Sequence, residues 1–157
     1  MVDKNYQHSK FQKTIVKEVQ IEGIGLHTGV RSTAIFKPAE ANTGIRFKRM
    51  DLPECPEILA DIDHVLDISR GTTIGQSDFR IHTVEHVLAA IVGLQIDNIL
   101  IELTNKEPPV MDGSASPFVD ILKKAGIKEQ NAHRDELIVD RTITFSDPKR
   151  GVDIAIL

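Results

Sequence analysis

Tryptophan is absent, tyrosine occurs once and phenylalanine six times, so aromatic side chains make up only 4% of the 157 residues. A surface that stacks single-stranded bases needs such rings in number, and this composition argues against one. Basic residues are not in excess either: 19 Lys and Arg face 23 Asp and Glu, for a net charge of −4 with neutral histidines. The concentrated positive face of a nucleic-acid binder is therefore not expected. The one cysteine, Cys55, lies in the polar stretch Leu52-Pro53-Glu54-Cys55-Pro56 and can form no internal disulfide, which suits a reducing compartment. No apolar run approaches the ~18 residues of a membrane span, and residues 1–12 are polar without an apolar signal core. The expectation is a cytoplasmic chain with a disordered N-terminus over residues 1–12.

What is present is 41% hydrophobic and 27% charged, enough for one ordinary folded domain or two very small ones. Its core must be filled by Val, Ile, Leu and Ala. β-Branched residues from Thr14 to Ile21 predict a strand, followed by a loop punctuated by Gly23, Gly25 and Gly29. Further strands are expected over Val30 to Lys37 and around Ile45 and Phe47, with a loop over 51–57 and weakly extended chain from Ile58 to Ile68. Val84, Leu88 and Ile91 recur at helical spacing, which predicts a buried helix across Ile81 to Val92. Ile99, Ile101 and Leu103 alternate as a strand. Ser116-Pro117 reads as the cap and first residue of a second helix that closes at Gly126. Residues 128–134 are hydrophilic and without periodicity, a linker by this reading, after which strand patterns resume. The order predicts an α+β fold: a two-layer sandwich of mostly antiparallel sheet with two helices on one face.

The chemistry-bearing residues concentrate in Ile81-His82-Thr83-Val84-Glu85-His86. A histidine can ligate zinc, and a carboxylate beside it can take a proton from an attacking water, so Glu85-His86 is a minimal hydrolytic pair. Read alone, the pair is equally a packing histidine beside a carboxylate that favours a helix start. His82-x-x-Glu85-His86 also matches the inverzincin pattern, in which both histidines bind zinc. That reading needs His82 and His86 one turn apart on one helix. Thr83 as N-cap would leave His82 outside and put Glu85 and His86 in the first turn. The helix start then favours an anion at Glu85, which suits a base, and a neutral ring at His86, which suits a metal ligand.

Three other segments are ambiguous in isolation. Gly23-Ile24-Gly25-Leu26-His27-Thr28-Gly29 reads as a turn between strands, since it lacks the order and lysine of a phosphate loop. Met111 to Pro117 reads as a turn and a helix cap, and Arg70-Gly71-Thr72-Thr73-Ile74-Gly75 as a loop rich in small hydroxyls.

Taken in order, five stretches resemble the N-terminal half of the zinc-dependent UDP-3-O-acyl-N-acetylglucosamine deacetylase family of the lipid A pathway of Gram-negative bacteria. They are residues 23–29, 38–44, 82–90, 93–98 and 109–118, and the resemblance runs from about Phe11 to Ile127. It implies two related α+β domains with an active site between them, of which residues 13–127 are the first, 128–134 a linker and 135–157 the opening of the second. It implies Zn2+ as cofactor, His86 as one of three protein ligands and Glu85 as general base. Substrate contacts fall to His27 and Thr73, and Asp112 takes a structural role. The remaining ligands and a general-acid histidine belong to a C-terminal domain, the partner this chain lacks. The implied substrate is a UDP-linked acylated amino sugar, hydrolysed to a free amine and acetate by a full-length monomer. One histidine cannot hold a zinc that needs three ligands, so the 157-residue chain is expected to bind zinc weakly and to be inactive alone. The rival readings are an inverzincin-like metallopeptidase and a non-catalytic binding domain.

Overall fold

Alternating apolar residues make the strands, and one helical stripe on each of two short segments makes the layer that covers them. The computed structural model describes residues 9–136 and 138–157. In chain order the elements are β1 (Phe11–Ile15), β2 (Val19–Ile24), β3 (Arg31–Pro38), β4 (Ile45–Arg49), β5 (Glu57–Leu59), a 3-10 turn (Ile62–His64), β6 (Val65–Asp67), β7 (Thr73–Gln76) and β8 (Phe79–Ile81). Then follow α1 (Glu85–Gly93), β9 (Ile99–Leu103), α2 (Ser116–Ala125), β10 (Ile127–His133), β11 (Ile143–Asp147) and β12 (Val152–Ile156).

The main sheet has five strands in the order β2-β3-β9-β4-β5, antiparallel except where β9 runs parallel to β4. Register puts Phe36 opposite Ile101 and Ala34 opposite Leu103, and all four are fully buried. Phe47, across from Ile101 on the other side, completes that apolar face. Onto it pack Val87, Ala90 and Ile91 of α1 and Phe118, Leu122 and Ala125 of α2. Phe118 meets Phe36 edge-on, with ring centroids 6.3 Å apart, a geometry that adds about 0.5–1.5 kcal/mol to the burial itself. On the opposite face Lys37 pairs with Glu102 at 2.8 Å. The fold is therefore α+β, with both helices on one face of a mostly antiparallel sheet.

A smaller sheet, β6-β7-β8, leads into α1, and β1 pairs with β10. The motif ending Asp97-Asn98 proves to be a staple for this second pairing. Asn98 is 1% exposed; its Oδ1 accepts the Gly44 N–H at 2.9 Å, and its Nδ2 donates to Gln12 and Gln130, each at 2.8 Å. Asp97 accepts from the Lys13 N–H at 2.7 Å and from Arg134 at 2.7 Å. The last two strands form a separate hairpin, Ile143 opposite Ile156 and Phe145 opposite Ile154, with these side chains exposed. No helix among the described residues is long and apolar enough to cross a membrane.

Several expectations change. The strand expected from Thr14 to Ile21 is two, broken at 16–18. The helix expected from Ile81 begins only at Glu85, because Ile81 closes β8 and Thr83 adopts a left-handed φ of 57°. Thr83 is thus no N-cap; Val84 holds that position without a side-chain cap. Ser116 and Pro117 lie inside α2, capped at Ala115. Residues 128–133, expected as linker, belong to β10. That strand is hydrophilic because it pairs with β1 alone, and its half-buried positions, among them Gln130 and Ala132, are held partly by amide hydrogen bonds. Of the N-terminus expected to be disordered, residues 1–8 lie outside the described residues, whereas Phe11 and Gln12 are in β1.

Candidate active site

Four chain segments converge at one edge of the fold: the glycine-rich loop between β2 and β3, the approach to β7, the connection from β8 to α1, and the chain after β9. They enclose a cleft of about 470 Å³ whose lining includes His27, Arg70, Thr73, His82, Thr83 and Lys106. Backbone bonds tie the segments together. The His82 N–H donates to the Lys106 carbonyl at 2.9 Å and the Val84 N–H to the Thr72 carbonyl at 3.2 Å.

Glu85 is the first residue of α1 and is half-buried. Its Oε2 accepts the Thr72 N–H at 2.9 Å, and its Oε1 lies against Gly71. Gly71 has φ +146°, and a Cβ there would come within 2.9 Å of Oε1. Glycine is the residue that lets the backbone pass so close to this carboxylate. His86 follows, also half-exposed, and neither ring nitrogen has a hydrogen-bond partner among the described residues. An imidazole in the first helical turn, open to solvent and without a partner, is free to take a metal.

His27 is exposed at the cleft, its Nε2 3.1 Å from the Arg70 carbonyl. Thr73 is buried, and its hydroxyl lies 3.0 Å from His82 Nδ1. Burial, with the nearby charge of Lys106, holds the His82 imidazole below its ordinary pKa. His82 sits before α1 and beyond a left-handed residue, so it does not share a helical face with His86. The two-histidine chelate of the inverzincin pattern is absent. Asp112 accepts from the Ser114 N–H at 2.9 Å and the Ser114 hydroxyl at 2.8 Å, organising the turn ahead of α2. These bonds, first the one from the Ser114 backbone, hold its carboxyl below the usual range.

The residue that sequence reasoning passed over is Glu107, which is fully buried. It accepts the Thr83 hydroxyl at 2.7 Å, the Thr28 N–H at 2.9 Å and the His27 N–H at 3.1 Å. Burial pushes this carboxyl upward, but the bonds from Thr83, Thr28 and His27 outweigh it and hold the pKa below the usual value. A Cβ on Gly25 would fall 2.5 Å from Glu107 Oε2, which explains the glycine at that point of the loop. The one sequence signal was a charged residue directly ahead of Pro108-Pro109, between a buried strand and a turn.

Among the described residues no group of three or more His, Cys, Asp or Glu could hold a metal ion.

The chain is similar to several known proteins. The bifunctional enzyme LpxC/FabZ of Chlorobaculum tepidum is 55% identical over 93% of this chain and 31% of its own length. UDP-3-O-acyl-N-acetylglucosamine deacetylases of Myxococcus xanthus and Shewanella pealeana are 40% and 43% identical, over 87% and 92% of this chain and 43% and 47% of theirs. The chain thus spans a third to a half of the relatives it matches. A profile of the UDP-3-O-acyl N-acetylglycosamine deacetylase family matches residues 12–155, and the chain belongs to that family.

Proposed function

We propose that this chain supplies half of the catalytic centre of a zinc-dependent deacetylase that hydrolyses the N-acetyl group of UDP-3-O-acyl-N-acetylglucosamine in lipid A biosynthesis, in the cytoplasm. The observation that carries the reading is the pair at the start of α1: a carboxylate fixed by a backbone N–H beside an imidazole with no partner among the described residues. His86 would be one zinc ligand, the others coming from polypeptide beyond this chain. When bound, zinc supplies Lewis-acid polarisation of the acetamide carbonyl and acidifies the attacking water. Glu85 accepts the proton of that water. With Oε2 engaged by Thr72, Oε1 would receive it. The C–N bond of the amide then breaks, the nitrogen takes a proton from the general-acid histidine that the resemblance assigns to the C-terminal domain and leaves as the free amine, and the acetyl carbon leaves as acetate. His27, at the mouth of the cleft, would contact the substrate; Thr73 would act through His82, since its hydroxyl is already engaged there.

The hairpin supports the view that a second domain completes the site. Ile143, Phe145, Val152, Ile154 and Ile156 share one of its faces by register and are all exposed. On this division the first domain ends with β10 rather than at Ile127, and the second begins near residue 135. A chain completed with the region that follows the matched segment in the C. tepidum relative tests the reading. The expected result is amine release that falls at least 10³-fold in both E85Q and H86A, with bound zinc lost only in H86A. Full activity in either variant would overturn it. A metallopeptidase would lose zinc on H82A; here zinc content is expected to be unchanged by that substitution.

A further inference from the structure

Thr83 is β-branched and holds φ at 57°, a conformation such side chains rarely take, in the residue directly before the cap of α1. Something must hold it there. Its hydroxyl donates to Glu107 Oε1 at 2.7 Å, and both groups are buried. The same carboxylate gathers the Thr28 and His27 N–H groups. One charged side chain therefore joins the turn that launches α1 to the loop that carries His27. We propose that Glu107 and Thr83 are positioning residues: together they clamp the left-handed turn onto the glycine-rich loop, fixing the start of α1, with Glu85 and His86, relative to the loop that carries His27.

Neither residue touches the reacting atoms in this account, and the inference rests on the proposed function for what the aimed groups do. The geometry explains why the turn is tight. On its far side the Val84 N–H is bonded to the Thr72 carbonyl, and the Thr72 N–H holds Glu85. A shift of Thr83 is thus passed to Glu85 through two backbone links. Misplacing a catalytic group by about 1 Å can cost on the order of 10²-fold in rate.

The clamp is tested first on the 157-residue chain, by amide hydrogen exchange. T83V removes the hydroxyl and keeps the branched shape; it is expected to speed exchange at the Val84 amide about tenfold, while T83S leaves that amide at the parent rate. E107A is expected to speed exchange at His27 and Thr28, with core amides such as Ile101 still protected. Parent-like exchange at Val84 in T83V refutes the clamp, and so does unchanged exchange at His27 and Thr28 in a folded E107A. The second test uses the completed enzyme. T83V is expected to lower kcat by about 10–100-fold with KM within about threefold, and T83S to recover most of the loss. A T83V enzyme as fast as the parent, or a T83S enzyme as slow as T83V, overturns the positioning role. If the completed parent releases no amine, the proposed function has failed, and the exchange rates still decide whether the clamp exists.

Discussion

Replacing Gly71 by alanine should damage the chain through two separable effects, and a double-mutant cycle can tell them apart. The first is backbone strain: φ of +146° lies where side-chain-bearing residues rarely go, at a cost of about 1–3 kcal/mol wherever it is imposed. The second is contact. The new Cβ would approach Glu85 Oε1 to 2.9 Å, so the carboxylate must retreat, and its bond from the Thr72 N–H stretches or breaks. A hydrogen bond to a charged group is worth about 1.5–3 kcal/mol, which bounds this part. Urea denaturation of the parent, G71A, E85A and the double variant then gives the coupling. G71A is expected to be more costly in the parent than in the E85A background, by roughly 1–2 kcal/mol, because only the strain remains once the carboxylate is gone. Equal costs in both backgrounds, within about 0.5 kcal/mol, would refute the idea that Gly71 makes room for the Glu85 carboxylate.

F118A removes a ring packed edge-on against Phe36 at the centre of the helix–sheet interface, and should lower unfolding free energy by about 3–5 kcal/mol, read from the denaturation midpoint at unchanged slope. N98L leaves the Gly44 N–H and the Gln130 Oε1 without their partner and removes one of the two bonds to Gln12 Oε1, and is expected to cost about 2 kcal/mol or more although leucine is similar in size. The 157-residue chain, dialysed against zinc, is expected to retain far less than one equivalent by metal analysis, with no change on H82A; stoichiometric tightly held metal would contradict the single-ligand reading. Glu107 has its folded pKa below the unfolded value, so its contribution to stability is fully present above the ordinary carboxyl range and is lost as pH falls through the folded pKa. The stability difference between parent and E107A should therefore shrink on acidification below about pH 4, and a difference constant down to pH 2 would count against the assigned bonds.

The strands at the middle of the sheet were legible because their burial is one-sided and periodic: Ile99, Ile101 and Leu103 declare themselves, and so does the apolar face of α1. Strand β10 was not, since its inward positions are filled partly by Gln130, whose amide bonds carry no hydropathy signal. Thr83 misled for a related reason. A threonine ahead of a helical run has the composition of a cap, and only its left-handed backbone and the carboxylate facing it reveal another role. Glu107 could not be read from sequence because its partners lie 24 and some 80 positions away, brought near by the β3–β9 pairing.

The same geometry treats two adjacent side chains of α1 differently. Everything that prepares Glu85 is internal: the Thr72 N–H on one oxygen, Gly71 giving space to the other, and the turn at Thr83 setting the start of the helix. His86, one residue on, has no such support among the described residues and makes no bond there. A base can be fixed by its own chain because its task is a proton transfer over one hydrogen-bond length. A metal ligand is fixed by the metal and its other ligands, so on the proposed function an unengaged imidazole at His86 is what the site would need. On the function proposed above, the contrast between two adjacent side chains, one supported by its own chain and one bare, is the contrast expected between a base and a metal ligand.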